Sequence, residues 1–428
     1  MEIPEATVEN IEAAIRKLAG PDADKLQVPA PAAFMSFFAD AGLLQLVITW
    51  ARRSPGGQAK FDDIDSKASG FAANLEKLLG RPYALAAWVM AKLLLDSNGL
   101  RMGRAEGKVY TSYLDAMDEF DFPRTHPSSG GVNLLCVQGS PREFIRPLYE
   151  GSDGDRKLRQ FGEVRVVVQA ALAQIAQDWP ARKLLDISEA ATQLTRELVE
   201  NSDWWARTDE RGVFYSKGIR AITFRHVDID DDGVERFSGD NTHVRNYLHQ
   251  SLAEDSVRHP AIGSDRKQDL RVLSFVELSI VDSGPGLARR WLSSGARDKR
   301  QVADVRELAI EEEEAAVVAC FRKWATSSGD TNRGVGLFAV ARLLRRRNGF
   351  MRLRTGRLSF LFGTRSAISD IERRLTYEKK DISQPYVQLE DGTHVFIEEG
   401  KMLFFLRSWT DEALGAVEGT SFSILLPA

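Results

Sequence analysis

The stretch from Leu194 to Trp205, read as Leu-Thr-Arg-Glu-Leu-Val-Glu-Asn-Ser-Asp-Trp-Trp, constrains this chain more than any other. Leu194, Leu198 and Val199 argue for a buried helix, and Glu197 and Asn201, four residues apart, then leave one face a turn from each other. A carboxylate and an amide facing a shared cavity can do two jobs. The carboxylate can orient and deprotonate a water, and the amide oxygen can hold a hard cation such as Mg²⁺. Taken alone, a Glu-x-x-x-Asn pair reads most simply as a solvated helix face.

Three further stretches follow in order. Asp282-Ser283-Gly284-Pro285-Gly286 closes the apolar run Phe275-Val276-Glu277-Leu278-Ser279-Ile280-Val281. Arg333-Gly334-Val335-Gly336-Leu337 opens a helical run, and Gly419-Thr420 precedes the strand-like Ser421-Phe422-Ser423-Ile424-Leu425-Leu426-Pro427. Each is weak alone; an Asp-Ser-Gly sequence by itself is an ordinary turn. In this order, over about residues 155 to 428, they resemble the N, G1, G2 and G3 boxes of the GHKL ATPase superfamily. That superfamily includes DNA gyrase, the ninety-kilodalton chaperone, histidine kinases and mismatch-repair MutL.

The resemblance implies an α/β fold, with a C-terminal α/β sandwich of Bergerat type whose mixed sheet carries helices on one face. It implies ATP as the bound nucleotide and Mg²⁺ as the cofactor, with Glu197 as general base and Asn201 as the Mg²⁺ ligand. Asp282 would accept the adenine amino group, and Gly284 and Gly286 would let the backbone turn tightly beside the base. Gly334 and Gly336 would let the backbone approach the phosphates, where the following helix presents free N–H groups and the positive end of its dipole. Arg333 is placed to add charge, as is Lys323. Thr420 reads either as the threonine that supports the adenine-binding Asp or as a β-branched residue starting an edge strand. The 47 residues between Gly286 and Gly334, about 287–333, would hold a mobile lid. One departure stands out: several family members carry an acidic residue three positions after the box Asn, where this chain has Trp204, with Asp203 one position earlier.

At 428 residues the chain exceeds one compact core. Residues 1–150 alternate helix and strand signals: a short strand over Lys25 to Val28, helices over Ala32 to Arg53, Ala68 to Leu79 and Tyr83 to Leu95, and a strand near Lys108 to Tyr113. They read as a smaller α/β module, loosely similar to the STAS-like domains sometimes found beside GHKL domains, although no residue motif supports that analogy. Pro, Gly and Ser cluster between Asp121 and Asp155, which sets the boundary, and the segment from Lys157 to Asp178, stopped by Pro180, reads as the first helix of the 155–428 domain. The polar stretch of about 228–271 opens Asp228-Ile229-Asp230-Asp231-Asp232-Gly233, but Gly239 stands at the twelfth position, where a calcium loop needs a bidentate Glu. A solvated insertion is expected there, and the acidic run Glu311 to Glu314 is expected to face solvent.

Composition adds exclusions. The net charge of −4 gives no general affinity for nucleic acid or anionic membrane. Cys136 and Cys320 are the two cysteines, too few and too far apart for a disulfide framework or a Cys-based zinc site. Glu2 and Glu5 do not suit a secretory signal, and the most apolar stretch, Tyr83 to Leu95, is too short to span a bilayer, so a cytoplasmic protein is expected.

Three classes compete within the resemblance. A histidine kinase would need a phosphoacceptor on a helix ahead of the ATPase domain, and the one candidate, His126, lies in a loop-like Arg124-Thr125-His126-Pro127-Ser128. A protein serine kinase or anti-sigma-type regulator stays open, because such kinases also place a Glu four residues before the box Asn. An ATP hydrolase, switching partner surfaces or forming a homodimer with nucleotide state, is preferred because a separate N-terminal module suggests coupling. A nucleotide sensor with negligible turnover is the alternative outside enzymes.

Overall fold

The computed structural model describes residues 6–20, 24–30, 35–104, 115–119, 131–151, 156–255, 257–259, 270–295, 298–322, 336–363 and 365–428. The strand expected near Lys108 to Tyr113, His126, Lys323, Arg333 and Gly334 lie outside these residues.

In chain order the N-terminal part comprises α1 (Val8–Lys17), β1 (Lys25–Val28), α2 (Ala39–Arg53), β2 (Gln58–Phe61), α3 (Phe71–Leu79), α4 (Pro82–Met90), β3 (Leu93–Leu95) and β4 (Arg101–Met102). Strands β1, β2 and β3 pair in parallel and β4 closes the sheet antiparallel, so this part is the small α/β module its sequence suggests. The helix expected from Ala32 begins only at Ala39. Phe38 adopts a left-handed backbone (φ 68°) and gives its N–H to Oε1 of Glu277 at 2.6 Å, which breaks the helical path. The stretch from Tyr83 to Leu95 divides into α4 and β3.

The remainder runs β5 (Gly131–Gln138), β6 (Tyr149–Glu150), β7 (Lys157–Leu158), α5 (Phe161–Ile175), α6 (Ala181–Trp205), β8 (Gly218–Ile229), α7 (Asp231–Ser238), α8 (Thr242–Asp255), β9 (Val257–His259) and β10 (Leu270–Asp282). It continues with α9 (Leu287–Arg290), α10 (Ile310–Ala319), α11 (Gly336–Arg346), β11 (Phe350–Gly356), β12 (Leu358–Phe362), α12 (Arg365–Tyr377), β13 (Tyr386–Gln388), β14 (His394–Glu398), β15 (Lys401–Ser408) and β16 (Val417–Pro427). A ten-stranded sheet runs β13-β14-β15-β12-β11-β16-β10-β8-β5, with β9 paired to β10. Strand β5, ahead of the boundary expected near 150, is thus part of this sheet, in register with β8 from Gly131↔Arg225 to Gln138↔Gly218.

The fold class is mixed α/β as expected, but three features of the expected architecture are corrected. First, every pairing in the ten-stranded sheet is antiparallel, so the sheet is not mixed. Strands β10 and β11 run the same way, but β16 sits between them and pairs antiparallel with both. Second, helices cover both faces. On the inner face Val276, Leu278 and Ile280 join the core under α5, α6 and α11, while on the outer face Leu135, Val137, Ile219, Ala221, Val281 and Val417 pack with α2 and α4. The alternate residues of several strands are apolar on both sides, and each apolar face must be covered.

Third, the described part of residues 228–271 is not a solvated insertion: Val234, Val244, Tyr247, Leu248 and Leu252 from α7 and α8 are buried in the main core. Asp230 explains the acidic opening, since its side chain caps α7 by accepting the Gly233 N–H at 2.7 Å. The acidic run on α10 is likewise not wholly solvated. Glu313 is fully buried and ion-paired with Arg357 at 2.7 Å, and Glu314 reaches Nε2 of His394 at 2.7 Å.

Candidate functional site

Helix α6 organises the site. Residues 181–205 contain neither Gly nor Pro, and Ile187, Ala190, Ala191, Leu194 and Leu198 recur every three or four residues on its buried side. Glu197 and Asn201 lie at the margin of that side and are half-buried. Neither side chain has a hydrogen bond or ion pair among the described residues. Facing them is Gly336, the first residue of α11. A Cβ there would sit 3.0 Å from Oε2 of Glu197 and 3.3 Å from Nδ2 of Asn201, so any larger residue would crowd both side chains. The expected Glu197, Asn201 and Gly336 are therefore brought together from two stretches of sequence, while Arg333 and Gly334 lie outside the described residues.

The far end of α6 meets the second cluster. A Cβ on Gly284 would fall 2.6 Å from Cα of Ala206, the residue after α6, so the turn after β10 lies directly against the helix end. Asn201 and Ala206 are separated by about 7.5 Å along the helix axis, the rise of five residues. Asp282 ends β10, and its Oδ1 accepts N–H groups from Gly284 at 2.9 Å and Thr420 at 3.2 Å. Its Oδ2 has no donor among the described residues. Burial, only partly offset by these two amides, pushes Asp282 up to about 6 although the residue keeps some solvent access. Glu197 is also raised, by burial first and by the neighbouring Glu200 second.

Both glycines of the turn are needed. Besides the Gly284 contact, Gly286 has φ 84°, and a Cβ on it would lie 2.9 Å from Oγ1 of Thr355. Gly419, φ 75°, gives its N–H to the Gly284 carbonyl at 2.8 Å, which sets Thr420 against Asp282. Thr420 starts no edge strand: β16 lies inside the sheet, between β11 and β10. Its main-chain N–H, rather than a feature peculiar to threonine, makes the contact with the carboxylate.

Several contributors carry no local sequence signal, because their partners are distant in the chain. Thr355 accepts the Leu287 N–H at 3.1 Å, and Ser283 accepts the Ile219 N–H at 2.8 Å. Arg290 donates to the carbonyls of Trp205 at 3.1 Å and Thr208 at 2.6 Å, satisfying the exposed end of α6. Asp203, the acidic residue displaced by one position, is occupied elsewhere: it pairs with buried Arg220 and accepts the Tyr149 hydroxyl at 2.8 Å.

No protein-family model matches the chain, and no curated protein or solved structure does either. Among the described residues no helix is long and apolar enough to cross a membrane, and no cluster of three or more His, Cys, Asp or Glu side chains forms a ready-made metal site.

Proposed function

We propose that this protein binds ATP with Mg²⁺ between α6, the β10 turn and α11, and hydrolyses it to switch an assembly or a partner. One observation carries the reading. Gly336 opens α11 against two polar side chains, Glu197 and Asn201, that have no hydrogen bond or ion pair among the described residues, on the same helix whose end abuts the Asp282 turn. Folded proteins seldom leave half-buried polar groups unpaired without a use for them.

The residues fit the nucleotide and the ion. Oδ2 of Asp282, without a donor among the described residues, can accept from an exocyclic amino group, as adenine presents and guanine at the same position does not. The N-terminus of α11, with no Cβ at Gly336, suits phosphate oxygens. Mg²⁺ is commonly held by one or two protein oxygens together with substrate phosphates, so Asn201 suffices without an acidic cluster. When bound, the ion neutralises charge on the phosphates. Glu197 supplies the proton acceptor for water, and its burial raises its basicity.

Incubation with labelled ATP tests the reading, since it separates phosphate release, transfer to protein, and binding alone. Release is expected; transfer to protein would favour the kinase reading, and absence of binding would sink both. ATP affinity should be full near pH 8 and fall as the pH drops through about 6, because protonated Asp282 no longer accepts the amino group.

Asp282→Asn should weaken ATP and ADP alike. The same change should make the protein more stable at pH 8. A carboxyl raised from 3.8 to about 6 on folding contributes stability that is fully present below pH 3.8 and lost as the pH rises through 6. At pH 8 the native state therefore holds an unfavourable charge, while an Asn oxygen can still accept both amides. The expected gain is about 1–2 kcal/mol in urea unfolding, after discounting for residual solvent access. A variant that loses stability and keeps ATP would contradict both expectations.

A further inference from the structure

A cavity of about 410 Å³ opens where the N-terminal module meets the start of β8. Four cationic side chains line it from four separate segments: Arg52 in the last turn of α2, Lys92 after α4, Arg104 after β4, and Lys217 just before β8. No carboxylate is among the described lining residues. Pro55 and Met90 add an apolar wall and Ser216 a hydroxyl.

Two of the four cations have roles in the fold. Arg104 donates to the carbonyls of Trp88 and Val89, both at 3.0 Å, and to Ala91, which neutralises the negative end of α4. Arg52 lies 3.5 Å over the Tyr215 ring and donates to the Ser283 carbonyl at 2.9 Å. Lys92 and Lys217 have no hydrogen bond or ion pair among the described residues. Lys217 is half-buried, and burial together with the Arg104 charge pushes its pKa down. Folding thus gathers like charges in a concave space with no carboxylate among its described lining residues, an arrangement that an anion would relieve.

We propose that this cavity binds a phosphate-bearing small molecule, with Lys92 and Lys217 as its charge contacts and Pro55 and Met90 against its apolar part. A single carboxylate would leave most of the charge unmatched, whereas a phosphate or pyrophosphate group is multiply charged and takes donors from several directions. The size lies in the range of small-ligand pockets. A nucleic acid would need a basic stripe rather than one concavity, and the net charge of −4 does not favour it. The site is separate from Glu197 and Asn201, because it lies toward the outer face of the sheet and they lie on the inner one.

Calorimetric titration of the full chain with inorganic pyrophosphate tests this and distinguishes the two sites. Saturable binding is expected in the wild type and in Asn201→Ala, at least tenfold weaker binding in Lys92→Ala/Lys217→Ala, and retention in Lys217→Arg. Neither lysine has a hydrogen bond or ion pair to lose among the described residues, so the double variant should keep its urea midpoint. Unchanged affinity in the double variant, loss only in Asn201→Ala, or no saturable binding in the wild type would each overturn the proposal. Failure here leaves the ATP reading standing, because that reading rests on other residues.

Discussion

Glu12→Ala is expected to lower the stability of the protein by about 3–5 kcal/mol, the usual result of removing one partner from a buried charge network. Glu12 projects from α1 onto the outer face of the large sheet. It pairs there with Arg352 at 2.5 Å and with Arg354 at 2.9 Å, and the two arginine side chains are only 4% and 1% exposed. Burial alone would raise the Glu12 carboxyl, but Arg354 and Arg352 outweigh it and hold it down at about 2. The sign follows directly: a carboxyl depressed by folding stabilises above its ordinary value of 4.5, and that contribution fades as the pH falls toward 2. Alanine would leave two guanidiniums dehydrated and unmatched. A control lies on the same helix, where Arg16 and Glu412 pair at 3.0 Å with side chains 44% and 73% exposed. Glu412→Ala should cost no more than about 0.5 kcal/mol. Urea midpoints at pH 7 compare the two, and an unchanged midpoint for Glu12→Ala would remove the idea that this triad fastens the N-terminal module to the sheet.

That fastening also shows why part of the fold was not legible in the sequence. In β10, Val276, Leu278 and Ile280 alternate with Glu277 and Ser279, the usual pattern of a strand with one wet face. Yet Glu277 is 5% and Ser279 is 2% exposed, because the N-terminal module covers them. The polar side chains of this face are used for bonding across the interface: Glu277 holds the Phe38 N–H and Arg225, Gln45 reaches the Arg354 carbonyl at 3.1 Å, and Thr49 accepts the Glu418 N–H at 3.0 Å. Period alone reports polarity, not burial. The same limit hid Glu313, whose partner Arg357 lies 44 residues further along the chain.

The candidate site was more legible, for a physical reason. Its demands are local: a four-residue helical spacing puts Glu197 and Asn201 on one face, and left-handed backbone favours glycine at 286 and 419. Local demands leave marks in short windows. Contributions that depend on a distant partner do not, which is why Thr355, Ser283 and Arg290 could not be picked out, and why Asp203 gave no sign of being tied to Arg220.

Under the proposed function Glu197 and Asn201 should fail in different ways, and the difference is the sharpest test of the site. Glu197→Gln keeps size and hydrogen-bonding capacity but removes the proton acceptor. ATP should still bind, while phosphate release falls by roughly 10² to 10⁴-fold, the usual range for loss of a general base. Burial and Glu200 raise the Glu197 carboxyl, so wild-type turnover should climb with pH along a limb displaced above the ordinary glutamate value of 4.5. That limb should flatten in Glu197→Gln. Folding is not expected to suffer, since a carboxyl raised by burial is a cost to the native state at neutral pH. Asn201→Ala removes an oxygen ligand instead, so nucleotide affinity measured with Mg²⁺ should drop toward the value measured without it, and turnover should drop with it. Binding with and without Mg²⁺, set beside phosphate release, separates the two signatures. Full hydrolysis in Glu197→Gln would end the water-activating role and shift weight to a sensor or a kinase, because neither needs that carboxylate to act on water.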